Sequence, residues 1–521
     1  MRKENSLSLL IIPYFLISLL PLGIFLLKGF YEIINFDKTI MNSFLDMRVI
    51  VLLIKTVFYS LSVAFIVVLF SLIIAIGLVS MDKKLRKFLM WLLIGFIAVP
   101  ISIHTVMWMN IVTLINNIFG SKIYLTGWGI SIFVQVIALL PLAIIIIYDS
   151  MMKIPMNLME AGRLLSSDRK VFFKIWLPQC KTGIKIVAIG VFLLTFNDYS
   201  VPSTFASNTF AMEIFARYSI SLNAGDAIMA SLPLVIIGML VALPLINSIS
   251  KQFFSNPTKR NDDFIKTLKF SKLYISKFSA IILMMITLVP LALLIYGSNF
   301  SNFNIFTDGG KEILKTLWIC LGATLFAIPI MLAAALSIYK NKKWQTFNFL
   351  LILLPILISP SLIGAALINF MNVPMLRSIY LSSVMGMLAV MIRFMPIGIL
   401  IIVAGLRKIP DDLVSVAYIA SKNTKEPIFK IIIPLTISSI LIAMSVVFLL
   451  GIGEMGTTVM VLPAGVSTIT VRLFGYLHYG ATELIAELSL VVVTLLLIFE
   501  LILYGLVNRS TNSIGKGGIH D

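Results

Sequence analysis

The sequence predicts an all-α polytopic membrane protein. Of its 521 residues, 59% are hydrophobic and only 12% are charged, and the mean hydropathy is +1.04. A soluble domain carries about 45–50% apolar and about 25% charged residues. The composition therefore excludes an ordinary soluble enzyme, and a chain with 2 cysteines is not a disulfide scaffold.

Apolar runs recur along the whole chain, and crossing a bilayer requires about 20 such residues. They predict about twelve transmembrane helices, six in each half of the sequence. The predicted spans are 7–29, 50–80, 88–113, 129–149, 180–204, 226–249, 273–298, 312–339, 347–371, 379–405, 435–459 and 485–507.

The basic residues fall mainly on one side of this predicted topology. With Arg2 and Lys3 inside, 29 Lys and Arg lie in segments predicted to be inside and 7 in segments predicted to be outside. Inside loops of membrane proteins are rich in Lys and Arg, so we predict that both termini are cytoplasmic. The net charge of +18 then marks the cytoplasmic face, and we expect no nucleic-acid partner.

A basic, polar stretch near the middle divides the chain into two halves. We predict a first six-helix half at 1–249, a cytoplasmic basic linker at 250–272, a second six-helix half at 273–507 and a cytoplasmic tail at 508–521.

The two halves repeat short sequence features. Residues 53–56 (LIKT) recur as 313–316 (ILKT), and 153–155 (KIP) recur as 408–410. Because each half contains an even number of predicted spans, the two tandem repeats have the same orientation in the membrane. A pathway between the halves suits a transporter, and a duplicated structural bundle is the alternative.

Two long inside loops occupy equivalent places after the fourth span of each half. They read KIPMNLMEAGRLLSSDRKVFFKIWLP (153–178) and KIPDDLVSVAYIASKNTKEPIFKIIIP (408–434). Pro155 and Pro410 suit the first turn of a helix, and a short apolar stripe follows each of them. Each loop therefore predicts a short amphipathic helix outside the bilayer. Such a helix either docks a soluble partner or rests on lipid head groups.

These loops resemble the EAA loops of binding-protein-dependent ABC transporter permeases. That family pattern is Glu-Ala-Ala, a Gly four residues after the second Ala, and Ile-x-Leu-Pro. The first loop has EAG at 160–162 and IWLP at 175–178, whereas the second has SVA at 415–417 and IIIP at 431–434. Both loops lack the later Gly, and the second also lacks the Glu. The resemblance assigns coupling to an ATPase to Pro155, Leu158, Glu160, Ala161, Gly162, Ser166, Pro178, Pro410, Leu413, Ser415, Ala417, Ser421 and Pro434.

The resemblance implies a non-enzymatic subunit of an importer in the bacterial cytoplasmic (inner) membrane. Two copies of a cytoplasmic ABC ATPase would use ATP, and an extracytoplasmic solute-binding protein would deliver the substrate. We expect no cofactor to bind this chain directly. No GxxxxGK[ST] phosphate-binding motif occurs in the sequence.

Charged residues within spans are costly and usually face the protein interior or a cavity. Asp198, beside Asn197, lies late in the fifth predicted span, and Glu454 lies 256 positions later, late in the eleventh. We predict that the two acids face each other and that Asn197, Asp198, Arg393 and Glu454 line the substrate pathway; the alternative is that each acid orders the end of its helix. Arg393, deep in the tenth span, could contact an anionic group or pair with an acid such as Glu454.

The fused layout, NDYSVP at 197–202 and EMGTT at 454–458 look like the iron(III)/thiamine branch of these permeases. That resemblance makes ferric iron the first substrate candidate, with thiamine, aminoethylphosphonate and polyamines as alternatives. An ion-coupled secondary transporter is the rival class, but it would not require two long amphipathic loops. A membrane enzyme is a third hypothesis, for which we find no paired His/Asp or Ser/His set.

Overall fold

The computed structural model confirms the all-helical prediction. It describes residues 9–35, 47–154, 156–221, 224–253, 272–298, 309–340, 345–421, 426–479 and 482–516. Within these ranges the chain forms helices and contains no β-strand.

In the first half, long helices alternate with short ones near the loops. Their bounds are Leu20–Asn35, Met47–Ser80, Lys83–Ala98, Ile101–Phe119, Trp128–Met152, Met156–Leu165, Lys181–Phe196, Ser200–Thr204, Phe210–Ser221 and Ala224–Phe253. A short helical segment, Ile12–Tyr14, and a π-helical turn, Phe15–Leu19, precede the first of them.

The second half follows a similar order. Its helices are Lys272–Gly297, Gly310–Lys340, Gln345–Leu357, Pro360–Met371, Val384–Leu406, Asp411–Ala420, Ile433–Ile452, Thr458–Val461, Ile469–Tyr479 and Thr482–Lys516. Residues 254–271, which make up most of the predicted linker, lie outside the described residues.

The predicted number of twelve membrane-spanning helices is not confirmed. Within the described ranges, 9 helices are long and apolar enough to cross a membrane, and up to 11 if two bent helix pairs each count as one span. The sixth predicted span is a shorter apolar stretch, Ile228–Pro244. The third predicted span, 88–113, is broken between Ala98 and Ile101.

Two of the helix breaks occur at prolines. Pro100 precedes Ile101–Phe119, and Pro360 begins Pro360–Met371, which is bent by 98° from the preceding helical segment Phe347–Leu357. Proline lacks the backbone N–H and disfavours the helical conformation of the residue before it. Val99 and Ser359 are accordingly extended, with ψ of 122° and 145°.

The first helix of each half packs against the other half. Leu20–Asn35 contacts Pro360–Met371, and upstream of it Tyr14 donates a hydrogen bond to the Ile352 carbonyl oxygen at 2.8 Å. Lys272–Gly297 contacts Met47–Ser80 in return. This exchange ties the halves together and leaves a junction between them in the middle of the molecule.

The same hydrogen bond occurs once in each half. The Thr56 hydroxyl oxygen accepts from the Phe210 backbone N–H at 2.9 Å, and the Thr316 hydroxyl oxygen accepts from the Ile469 backbone N–H at 2.9 Å. All four groups are buried, and a buried N–H must find an acceptor. Each bond therefore fixes the start of a later helix, Phe210–Ser221 or Ile469–Tyr479, against a long span.

Candidate functional site

A ten-residue helix lies in each of the two long loops. The first loop helix is Met156–Leu165 and the second loop helix is Asp411–Ala420. Both precede a π-helical turn, Phe172–Trp176 or Ile428–Ile432, from which the chain continues into a long apolar segment. The side chains at the end of these turns, Trp176 and Ile432, are fully buried and anchor the turns in the core.

Apolar side chains on both loop helices are exposed. Leu164 and Leu165 are 89% and 88% exposed in the first loop helix, and Ile419 is 84% exposed in the second. Neither helix is one of the candidate membrane spans. Exposed leucine and isoleucine side chains on such a helix fit both alternatives, a surface that a partner covers and one that rests on lipid head groups.

The predicted coupling residues are divided between exposed and buried positions. Leu158, Glu160, Ala161, Pro178, Pro410, Leu413, Ser415 and Pro434 are exposed, Ser166 and Ser421 are half-buried, and Gly162 and Ala417 are buried. Pro155 lies outside the described residues. On the second loop helix, burial raises the pKa of Tyr418.

Gly162 and Ala417 are the buried residues at the same place in the two loop motifs. A Cβ atom on Gly162 would lie 2.6 Å from Cδ1 of Ile175, so the glycine allows the first loop helix to pack closely on the following turn. The second loop helix is built with Ala417, which is 7% exposed, at the corresponding position.

Near the junction of the halves, Asp198, Arg393 and Glu454 line one cavity of about 80 Å³. The starts of Ile101–Phe119 and Pro360–Met371 reach the same cavity. The positive ends of helices favour ionised carboxylates. The remaining lining residues are Ile101, Ser102, Tyr199, Ser200, Pro360, Gly453, Met455 and Gly456.

Asp198 is held by the turn that follows it. One carboxylate oxygen accepts from the Ser200 backbone N–H at 3.2 Å and from the Ser200 hydroxyl at 2.7 Å, and the other accepts from the Val201 N–H at 3.4 Å. These bonds order the start of the short helix Ser200–Thr204. Asp198 thus orders a helix end and lines the cavity at the same time.

Glu454 makes one turn hydrogen bond and one ion pair. Its Oε1 accepts from the Thr457 N–H at 2.6 Å, and its Oε2 lies 2.8 Å from Nε of Arg393. The Glu454 side chain is 3% exposed and that of Arg393 is 27% exposed. The cavity wall therefore carries two carboxylates and one guanidinium, which is a formal excess of one negative charge.

The segment around Glu454 contacts both halves closely. Tyr199 donates a hydrogen bond from its hydroxyl to the Gly456 carbonyl oxygen at 3.2 Å, which joins the two halves beside the cavity. A Cβ atom on Gly456 would lie 2.7 Å from Cβ of Pro360, and one on Gly453 would lie 3.3 Å from Cγ of Pro100. Only residues without a side chain fit these approaches unchanged.

Asn197 is separate from this arrangement. Its amide donates to the Leu193 carbonyl oxygen at 3.0 Å, and it is not among the residues that line the cavity. Sequence reasoning missed Tyr199 and Ser102, although Tyr199 directly follows Asp198. In the described part of the chain, no group of three His, Cys, Asp or Glu side chains is arranged to hold a metal ion.

One family of known proteins matches part of the chain. Residues 67–250, about a third of the chain, match the family described as binding-protein-dependent transport system inner membrane component. No curated protein matches the chain. The matched stretch includes the first loop helix and Asp198, and the many apolar helices agree with a multi-pass membrane protein. The match supports a permease subunit of a binding-protein-dependent ABC transporter.

Proposed function

We propose that this chain is a fused, two-half permease of an ABC importer that moves ferric iron across the bacterial cytoplasmic membrane. In this proposal the two halves are parallel repeats with the pathway between them, and both termini are cytoplasmic. Two copies of a separate ATPase supply the energy, and a solute-binding protein delivers the substrate on the opposite face.

The observation that carries the transport proposal is the pair of loop helices. Each is ten residues long, each presents exposed apolar side chains, and each is joined to an apolar segment by a turn whose last side chain is buried. A rigid connection of this kind can transmit the movement of a bound ATPase to a transmembrane helix. Glu160 and Ser415, exposed at equivalent positions, would then lie at the two docking surfaces.

The docking proposal is tested by co-purification of the ATPase with the permease. We expect Glu160→Lys, or deletion of residues 158–166, to abolish association at the first loop. Lys84→Glu is the matched control, because it makes a charge change of the same size on another exposed residue of the predicted cytoplasmic face. An ATPase that remains bound at wild-type stoichiometry in both first-loop variants would refute the docking role.

The cavity of about 80 Å³ near the junction of the halves, called the central cavity below, supports the proposal of a cationic substrate. Asp198 and Glu454 contribute two carboxylates to its wall against the single guanidinium of Arg393. Carboxylate oxygens are suitable contacts for a hard cation such as ferric iron. Because few ligands converge there, the solute-binding protein would make most of the selection and the cavity would provide a transient step.

The substrate proposal is tested by uptake of labelled ferric iron into vesicles that contain the complete transporter. We expect Asp198→Asn and Glu454→Gln each to reduce the rate at least tenfold. Asp226→Asn, which removes an acid that does not line the cavity, should retain the wild-type rate. Unchanged uptake in both cavity variants would exclude the acids from the pathway. If thiamine or a polyamine competes with iron for uptake, that compound replaces iron as the proposed substrate.

A further inference from the structure

A second cavity, of about 610 Å³, lies in the first half beside the start of Met47–Ser80. Three separated segments form its wall: the first turns of that helix, Trp128, and residues 206–216. All three segments lie on the side of the membrane that the sequence predicts to be outside. Its lining includes the basic residues Arg48 and Lys55.

Two donors of this cavity, Ser207 and Lys55, have no acceptor among the residues that the structure describes. Ser207 is 3% exposed, and its hydroxyl has no hydrogen-bond partner among the residues that the structure describes. Lys55 is exposed and, within the described ranges, makes no ion pair. A buried hydroxyl that donates to no group is costly, which points to an acceptor that fills the site when bound.

The charge of the cavity favours an anion. Glu213, the one acid among its described lining residues, lies 3.7 Å from Nη2 of Arg48 and also accepts a hydrogen bond from Nε of Arg217 at 2.9 Å. Among the described lining residues, Arg48 and Lys55 carry two positive charges against the one negative charge of Glu213. An anionic group is attracted to such a place.

The position of Lys55 along its helix corresponds to the level of lipid head groups. Lys55 and Ser80 are 25 residues apart in one helix, which spans about 38 Å at about 1.5 Å per residue. The hydrocarbon core is about 30 Å thick, and about 40–45 Å with the head groups included. With Ser80 at the inner surface beside the basic segment 83–87, Lys55 reaches the outer head groups.

One lining residue of the cavity, Val51, lies on an exposed apolar face of the same helix. Val51, Phe58 and Phe65 are 40%, 66% and 71% exposed, and with Lys55 they follow the three- and four-residue spacing of one helix face. Val51 lines the cavity, whereas Phe58 and Phe65 continue toward the middle of the membrane. A ligand that fits this layout has an anionic head and an apolar tail.

We propose that the cavity beside Lys55 binds the phosphate of an anionic phospholipid in the outer leaflet. Lys55 and Arg48 would face the phosphate charge, Ser207 would donate its free hydroxyl, and an acyl chain would lie along Phe58 and Phe65. The proposal depends on the membrane position of the chain and not on its substrate or its ATPase.

Native mass spectrometry of the detergent-purified full chain tests this site, with phosphatidylglycerol as the probe. We expect Lys55→Gln to weaken phosphatidylglycerol binding at least fivefold. Lys315→Gln is the matched control, because Lys315 is also exposed, precedes the equivalent threonine and lines none of the cavities described here. It should change the affinity by less than twofold.

Three further results decide the identity of the ligand. Ser207→Ala should weaken binding without lowering the thermal midpoint of the protein, since its hydroxyl makes no internal hydrogen bond among the described residues. Zwitterionic phosphatidylcholine should bind at least fivefold more weakly than phosphatidylglycerol. Equal losses in Lys55→Gln and Lys315→Gln would overturn the site, and displacement of the lipid by millimolar inorganic phosphate would overturn a lipid as its occupant.

Discussion

Glu213 in the first half pairs with Arg48, whereas at the corresponding place in the second half Arg472 pairs with Glu312. Each pair joins the start of a long span to one of the helices Phe210–Ser221 and Ile469–Tyr479. In the first half the acid lies on the shorter helix and the base on the long span, and in the second half the acid lies on the long span and the base on the shorter helix. The same two elements are nevertheless joined in both halves. The fold at this place therefore requires opposite charges on the two elements and not a particular sign on either one.

The space beside these ion pairs differs much more than the ion pairs do. The first half contains the polar cavity of about 610 Å³, and the second half contains an apolar one of about 10 Å³ next to Thr316. Two halves with matching hydrogen bonds at Thr56 and Thr316 thus offer different surfaces on the side predicted to lie outside. A shared framework leaves each half free to acquire its own ligand.

The largest difference in stability that we predict concerns the two acids of the central cavity. Glu454→Gln leaves the guanidinium of Arg393 without its carboxylate, and breaking a buried ion pair costs about 3–5 kcal/mol. Because Arg393 is 27% exposed, we expect the lower end, about 3 kcal/mol. Asp198→Asn keeps one acceptor oxygen for the turn and removes the other, together with a longer-range attraction to Arg393, and should cost about 1 kcal/mol. The free energy of unfolding in mixed detergent micelles measures both.

The double variant Glu454→Gln with Arg393→Gln is the control for this difference. It removes both charges and should recover part of the loss seen with Glu454→Gln alone. Equal costs for Glu454→Gln and Asp198→Asn would contradict the view that Arg393 holds the acid of the second half, through a direct ion pair, more strongly than the acid of the first half.

Loss of the hydrogen bond at Thr56 and loss of the one at Thr316 should destabilise the protein equally. Thr56→Val and Thr316→Val keep the side-chain shape but leave the backbone N–H of Phe210 or Ile469 without its acceptor. A buried donor left unsatisfied costs about 1–3 kcal/mol, and we expect the same value within about 0.5 kcal/mol at both sites. Thermal unfolding followed by tryptophan fluorescence compares them. Thr105→Val, which loses only a hydrogen bond of 3.4 Å within its own helix, should shift the midpoint less.

Much of the loop and acid geometry follows from sequence features that act locally. A proline followed by an apolar stripe predicts the loop helices at 153–178 and 408–434, and ten-residue helices lie in both loops. The offset of 256 between Asp198 and Glu454 predicts that they meet, and both line one cavity. Whether that cavity is a pathway remains a prediction for the uptake experiment.

The helix breaks could not be predicted from residue type alone. Pro141 and Pro396 lie inside continuous helices, whereas Pro100 and Pro360 lie at breaks. Neighbouring helices can satisfy the carbonyl groups that a proline frees, so the outcome depends on packing and not on the proline itself. The cavity beside Lys55 could not be predicted from the sequence either, because Lys55, Trp128 and Ser207 are brought together only by the tertiary fold.

The smallest effect that we predict is a difference in how closely the two loop helices must pack. Gly162→Ala places a Cβ atom 2.6 Å from Cδ1 of Ile175, the flexible end of a side chain that can rotate away. An off-rotamer side chain costs about 0.5–1.5 kcal/mol, and the better helix propensity of alanine returns about 1 kcal/mol. We therefore expect Gly162→Ala to change the free energy of unfolding by less than about 1 kcal/mol and to leave ATPase co-purification unchanged. Gly162→Leu should weaken co-purification, because a large side chain would push the first loop helix away from its turn. If Gly162→Ala alone releases the ATPase, the first loop helix requires a closer fit than the second, which is built with Ala417.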